Sequence, residues 1–260
     1  MRAGQLKTYI LMSAKELFRN RLALILLFII PSLFYVLTSV TMPDREIAFR
    51  LAAITEGIIV RVSELKEALI FIGLAAVGVI SSFLGLVLSQ KDAPATQRII
   101  LCGFRPMEIV ISKLVLLLAV VIVVGCYVGL LLRVFLTPED ILKTILSFTL
   151  GGYVYGCYGI LVGVLVRHEL EGILLVVLLA NIDIGWLQNP IYYSDAQNKL
   201  IIRLLPAFYP SQAAMASAFT RLGITLPFIL GLAYGTALLA IAVVVSSFRL
   251  RLSNRFTSMG

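Results

Sequence analysis

Long apolar runs, broken by short charged stretches, leave this chain few possible folds. A window of about 19 residues, suited to membrane spans, finds six of them, at roughly 22–40, 68–88, 114–135, 145–166, 172–187 and 226–248. At about 1.5 Å of helix per residue, some twenty residues cross the ~30 Å of bilayer hydrocarbon. The fifth run is short, so its helix must stop early, break, or meet a thinned or protein-lined region. Composition agrees: the chain is 60% hydrophobic and 14% charged. A soluble domain sits nearer 45–50% and about 25%. The pattern predicts one all-α, polytopic membrane domain of six spans over residues 1–260.

Charge predicts the orientation. With the N-terminus in the cytoplasm, thirteen of the 22 Lys and Arg residues fall on the inside and nine on the outside. Basic residues collect on the cytoplasmic face, so both termini are expected there. The net charge of +8 then needs no nucleic acid to explain it; it suits an anionic lipid surface. The start is not read as a signal peptide, because residues 1–20 are charged throughout.

Two polar segments on that face are informative. In 1–20, Leu6, Tyr9, Ile10, Leu17 and Phe18 recur near helical spacing while Arg2, Lys7, Lys15 and Arg19 stay polar. A basic amphipathic helix lies in the interface rather than crossing it, so this segment is read as an elbow. The stretch 90–113 is longer than a simple connection needs. Asp92-Ala93-Pro94 is a helix start, Gly103 is a natural stop, and Pro106 restarts a helix that runs through Lys113 into the third span. A short cytoplasmic helix is expected there, exposing Thr96, Gln97, Arg98 and Arg105.

KELFRNRLALILLFIIP (15–31) and RIILCGFRPMEIVISKL (98–114), with the overall layout, resemble the membrane subunits (permeases) of type-2 ABC exporters. Pro106, Glu108 and Lys113 match the family's run of a proline, an acid and a lysine entering the third span. Lys91-Asp92-Ala93-Pro94-Ala95-Thr96 departs from the family's Glu and Gly-Thr pair, with Thr96 standing in for the threonine. The resemblance implies an elbow, a coupling helix between spans two and three, and re-entrant helices before span six. It implies a separate ABC ATPase in two copies, holding ATP and Mg, and a second permease copy, identical or related. Contact with the ATPase would fall on Lys15, Arg19, Thr96, Gln97, Arg98, Arg105 and Glu108. The chain has no GxxxxGK[ST] loop of its own, so it is expected to be a transport subunit, not an enzyme, with no cofactor or metal.

The outer half holds the remaining candidates. KLIIRLLPAFYPSQAAMASAF (199–219), within 188–225, is amphipathic and carries Pro206 and Pro210; it suits short helices dipping into the outer leaflet, or a loop lying on its surface. Asp183 is the one carboxylate inside a predicted span, with Asn181 close by. Intramembrane acids suggest function, so both are substrate-path candidates, as are Tyr155 and Tyr158. Against this, Trp186 marks the outer interface, which would let Asp183 simply reach headgroup water. Glycine pairs 125/129, 152/156, 159/163 and 231/235 favour close helix packing. The segment 42–67 reads as a charged outer cap with possible helix.

Other chemistry is poorly supported. His168-Glu169 lacks the second histidine of a zinc helix, and Gly172 stands in its place. Cys102, Cys126 and Cys157 are odd in number and show no CxxC spacing. The expectation is an exporter permease for a drug-like, lipid-like or otherwise amphiphilic cargo, in the cytoplasmic membrane of a bacterium or archaeon. The rival is a stand-alone six-span secondary transporter or channel, which would show inverted repeats or paired broken helices.

Overall fold

The computed structural model describes residues 11, 15, 19, 21–51, 59–90, 106–166 and 168–257, without the side chains of 22–24, 50, 106–110, 191, 194–195 and 247–257. The chain is a mostly helical, polytopic membrane protein. Its elements in order are α1 (Arg21–Thr41), β1 (Glu46–Arg50), β2 (Ile59–Ser63), α2 (Glu64–Gln90), α3 (Pro106–Phe135), α4 (Ile141–Leu165) and α5 (Glu169–Ile182). A π-helical turn (Asp183–Leu187) follows, then α6 (Pro190–Asp195), α7 (Lys199–Arg203), α8 (Phe208–Phe219) and α9 (Thr225–Thr257).

Five helical segments are long and apolar enough to cross a membrane: Glu64–Gln90, Ile111–Phe135, Ile141–Leu165, Glu169–Leu187 and Thr225–Ser246. The apolar part of α1, Ile25–Thr41, is shorter. α1 also contains Pro31, whose missing N–H deprives Leu27 of its usual donor. One residue on, the Phe28 carbonyl accepts from Ser32 Oγ at 2.8 Å and from Tyr127 Oη of α3 at 3.1 Å. Ser32 Oγ and Tyr127 Oη lie 2.5 Å apart, and their two protons alternate among these three contacts, so a polar clasp fastens α1 to α3.

The expectation of a purely α-helical chain needs one correction. Part of the segment 42–67, expected as an outer cap, is an antiparallel hairpin, with Phe49 opposite Val60 and Ile47 opposite Val62. Alternation explains it. Phe49 and Val60 turn inward and are buried, while Ala48 and Arg61 face out. A period of two with β-branched residues makes a half-buried strand, not a helix. The Glu64 N–H donates to the Arg45 carbonyl at 2.7 Å, tying the hairpin to the start of α2.

α4 stands at the centre, packed by α2, α3, α8 and α9. Its closest partner is α2, and glycine makes that approach possible. A Cβ on Gly159 would fall on the Ser82 carbonyl, and one on Gly85 would fall on the Gly156 carbonyl. A Cβ on Gly125 or Gly129 would meet Thr149 or Ile145, and one on Gly231 or Gly235 would meet Leu150 or Tyr153. The glycine pairs therefore pack helices of this chain onto α4. Outward faces are apolar, as lipid demands: Leu33 and Val40 on α1, Leu170 and Leu174 on α5, Leu226 and Ile229 on α9.

The hairpin end of α4 is capped by Asp140, whose carboxylate accepts the Lys143 N–H at 3.1 Å and pairs with Lys143 Nζ at 2.8 Å. The Lys143 side-chain contact, then that N–H, holds the Asp140 carboxyl below its usual range. Its help to stability is present above the ordinary carboxylate pKa and is lost as pH falls through the depressed one.

Overpacking the α2–α4 seam should be severe. Gly159→Val is expected to cost about 3 kcal/mol, or roughly 6–12 °C of melting temperature. Gly185→Ala, with open space around it, should leave the melt of the detergent-solubilised protein almost unchanged.

Candidate functional site

Asp183 lies at mid-height of the bundle. It follows Glu169 by fourteen residues along α5, about 21 Å of helix rise. Tyr155 stands fourteen residues into α4 from the other end, and Gly78 stands fourteen into α2. These levels coincide in space: a Cβ on Gly78 would touch both Ile184 and Tyr155. Asp183 is 0% exposed, so the reading in which it reaches headgroup water is overturned. The π-helical turn that begins there draws Asp183 and Ile184 into the bundle while Gly185 and Trp186 stay outside.

The carboxylate is held by three donors from separate parts of the chain. Tyr155 Oη donates to Oδ2 at 2.6 Å. The Ala207 N–H donates to the same oxygen at 2.8 Å. Gln188 Nε2 donates to Oδ1 at 2.7 Å and also to the Ile202 carbonyl at 3.2 Å. Two acceptors around that nitrogen fix the amide's orientation, since its oxygen could not replace the donor. Gln188 Oε1 is buried without a hydrogen-bond partner.

Local chemistry explains why Ala207 needs this carboxylate. It precedes the first turn of α8, where N–H groups have no helical partner. Leu205 N–H reaches Ile202 O, Phe208 N–H reaches Leu205 O, and Pro206 has no N–H to place. Asp183 takes the Ala207 donor and puts negative charge at the positive end of the α8 dipole. The Leu204 carbonyl, at the same tip, accepts from Tyr234 Oη at 2.7 Å. Tyr234 is nine residues, about 14 Å, along α9 from Thr225. The α7–α8 turn therefore sits deep inside the bundle, while α6 lies against β1 at the hairpin end.

Of the sequence candidates, Asp183 and Tyr155 come together. Tyr158 is half-buried beside them, its ring centroid 6.3 Å from that of Tyr155 in edge-to-face contact. Asn181 does not join them: it is exposed on α5 and donates to the Val177 carbonyl of its own helix at 2.8 Å. Lys15 and Arg19 are helical and exposed. Thr96, Gln97, Arg98 and Arg105 lie outside the described residues, as does the Glu108 side chain, although its backbone belongs to α3. Gln188 and Ala207 were missed. An α-helix would place residue 188 about 140° away from residue 183, whereas the π turn, with Gln188 N–H on Asp183 O at 3.0 Å, brings them to one face.

His168 precedes the first residue of α5 and makes no side-chain cap hydrogen bond. Among the described residues no three of His, Cys, Asp and Glu gather as a metal site requires. Cys126 and Cys157 are free thiols. No family model matches the chain, and no curated protein matches it.

The network predicts a coupled loss. Tyr155→Phe should cost about 1.5–3 kcal/mol, as hydrogen bonds to charged groups do. Asp183→Ala should cost more, since it strands three buried donors. The double variant should fall short of additivity by about 1 kcal/mol or more, read from thermal denaturation of all four proteins.

Proposed function

We propose that this chain is the membrane-spanning permease subunit of an ATP-driven exporter of the type-2 ABC kind, moving an amphiphilic, drug-like or lipid-like cargo out of the cytoplasm. In this reading α1 supplies a sixth span, and the hairpin end faces away from the cytoplasm. One observation carries most of the weight: a short helix pair, α7 and α8, enters the bundle from the hairpin end and turns back at mid-height just before the last long helix. This arrangement supports the re-entrant pair that the sequence resemblance implies. The chain has no phosphate-binding loop, so ATP with its Mg would be held by a separate ATPase in two copies. That partner would press on the elbow, through Lys15 and Arg19, and on the coupling segment, through Thr96, Gln97, Arg98, Arg105 and Glu108.

Two permease copies would complete the transporter in a bacterial or archaeal cytoplasmic membrane, both termini inside. Asn181, a polar side chain exposed on an otherwise apolar stretch of α5, is a better substrate-path residue than Asp183, which is enclosed. Polar groups on a spanning helix face protein or a water-filled cavity rather than lipid. The permease itself is a two-state element that the ATPase biases. The stand-alone secondary transporter draws its support from the same broken helix with a buried acid, but α5 has no second such helix among the described spans.

The test is co-purification from native membranes in mild detergent. An ATP-hydrolysing subunit should come down with the wild-type chain and be lost or weakened with Arg98→Glu/Arg105→Glu. An intact, folded chain with no ATPase attached would transfer the assignment to the stand-alone transporter.

A further inference from the structure

We propose that Asp183 is a latch: it fastens the inner tip of the α7–α8 pair to α4 at mid-membrane, and its release opens the outer half of the chain to water. The inference rests on the membrane placement given above, not on the ATPase partner.

The two ends of α8 are held differently. At the hairpin end, α8 is joined to the start of α4 by ordinary short-range bonds. Glu139 N–H donates to the Ala218 carbonyl at 3.0 Å, Asp140 N–H to the Ser217 carbonyl at 3.1 Å, and Thr144 Oγ1 to Ser217 Oγ at 3.2 Å. These groups sit at the start of α4, where a small rotation leaves them paired or wet. At the inner end the tip is held by side chains: Asp183 takes the Ala207 N–H, with Tyr155 of α4 on the same oxygen, while Tyr234 Oη and Gln188 Nε2 donate to the Leu204 and Ile202 carbonyls; Asp183 alone of these accepts a backbone N–H of the tip. One end is built as a hinge and the other as a fastening.

The surface between them is smooth. α8 reads FYPSQAAMASAF, and Ser211, Ala213, Ala214, Ala216, Ser217 and Ala218 are all buried. Small side chains allow close approach but interlock little, and Met215 is the most adaptable of the large apolar residues. By contrast, the α2–α4 seam is glycine against backbone and has no slack. The bundle therefore has a rigid wall and, seated on it, a helix whose buried side chains are mostly small, with Phe208, Pro210, Gln212 and Met215 the larger ones.

Charge decides how the latch can open. A carboxylate freed at mid-membrane into hydrocarbon, with no donor, is very costly. Asp183 can let go of Ala207 and Tyr155 only if water replaces them, so release and hydration are one event. Gln188, bonded to Oδ1 from its own π-helical turn, would stay with the carboxylate and give up the Ile202 carbonyl of α7 as the pair swings away.

The experiment uses the full chain in membranes, with Cys102, Cys126 and Cys157 replaced by alanine and Ser211→Cys as reporter. Ser211 is buried in the first turn of α8, and the replacement is nearly isosteric. A membrane-impermeant thiol reagent is applied from the hairpin side. The parent should be protected. Adding Asp183→Ala, which removes the oxygen that both the Ala207 N–H and Tyr155 Oη donate to, should raise the labelling rate at least tenfold, and Tyr155→Phe should give an intermediate rise. Tyr127→Phe, which breaks the α1–α3 clasp elsewhere, should leave labelling as in the parent. Protection that survives both Asp183→Ala and Tyr155→Phe would overturn the latch. So would equal labelling in Tyr127→Phe, because the reagent would then be reporting general loosening. Loss of ATPase co-purification would not move any of these rates.

Discussion

Inside a bilayer, water cannot complete the hydrogen bonds of a turning backbone, so any tip buried at mid-height must bring its own partners. The α7–α8 turn meets that demand with Asp183. The carboxylate takes the Ala207 N–H that no nearby carbonyl reaches, and Tyr155 and Gln188 in turn satisfy the carboxylate. Remove this group and the tip has an orphan donor, α8 starts without its anion, and the end of α5 loses its tie to α4. The π turn follows from the same constraint, because it is the widening that lets Asp183 and Gln188 share one face.

Around that point the interior is graded. Between α2 and α4 the backbones touch through Gly85 and Gly159, leaving no freedom. On α8, which packs against α4, most of the buried residues are alanine and serine. On α1, α5 and α9 whole faces are apolar and open, with Tyr127 and Ser32 tying α1 on by a local clasp. The proposed transport role calls for a frame that does not yield and an element that does, and two such kinds of seam arise here from ordinary packing chemistry.

Five of the six expected spans were legible because hydrocarbon imposes a length and an apolar composition that any window detects. The helix beginning at Pro106 was legible for a similarly local reason, proline's place in a first turn. Asp183 stood out as a lone acid in an apolar run, but its role did not. Trp186 three residues on suggested an interface, yet the π turn sends Trp186 outward and Asp183 inward. The hairpin at Glu46–Ser63 was missed because charges on its outer face masked the alternation of Ile47, Phe49, Val60 and Val62. Gln188 and Ala207 carried no signal, since one needs a non-α turn and the other contributes only its backbone.

The sequence by itself determined that the chain lives in a membrane, where its long helices fall, and that its glycines pack helices closely, because these depend on composition and near-neighbour spacing. Which helix stands at the centre, how deep the α7–α8 tip reaches, and which groups gather on Asp183 were decided by tertiary structure alone. Those answers depend on groups 28 and 24 residues apart, Tyr155 and Ala207, meeting at one carboxylate. No local pattern encodes that meeting; it arises when the backbone must satisfy itself in the absence of water.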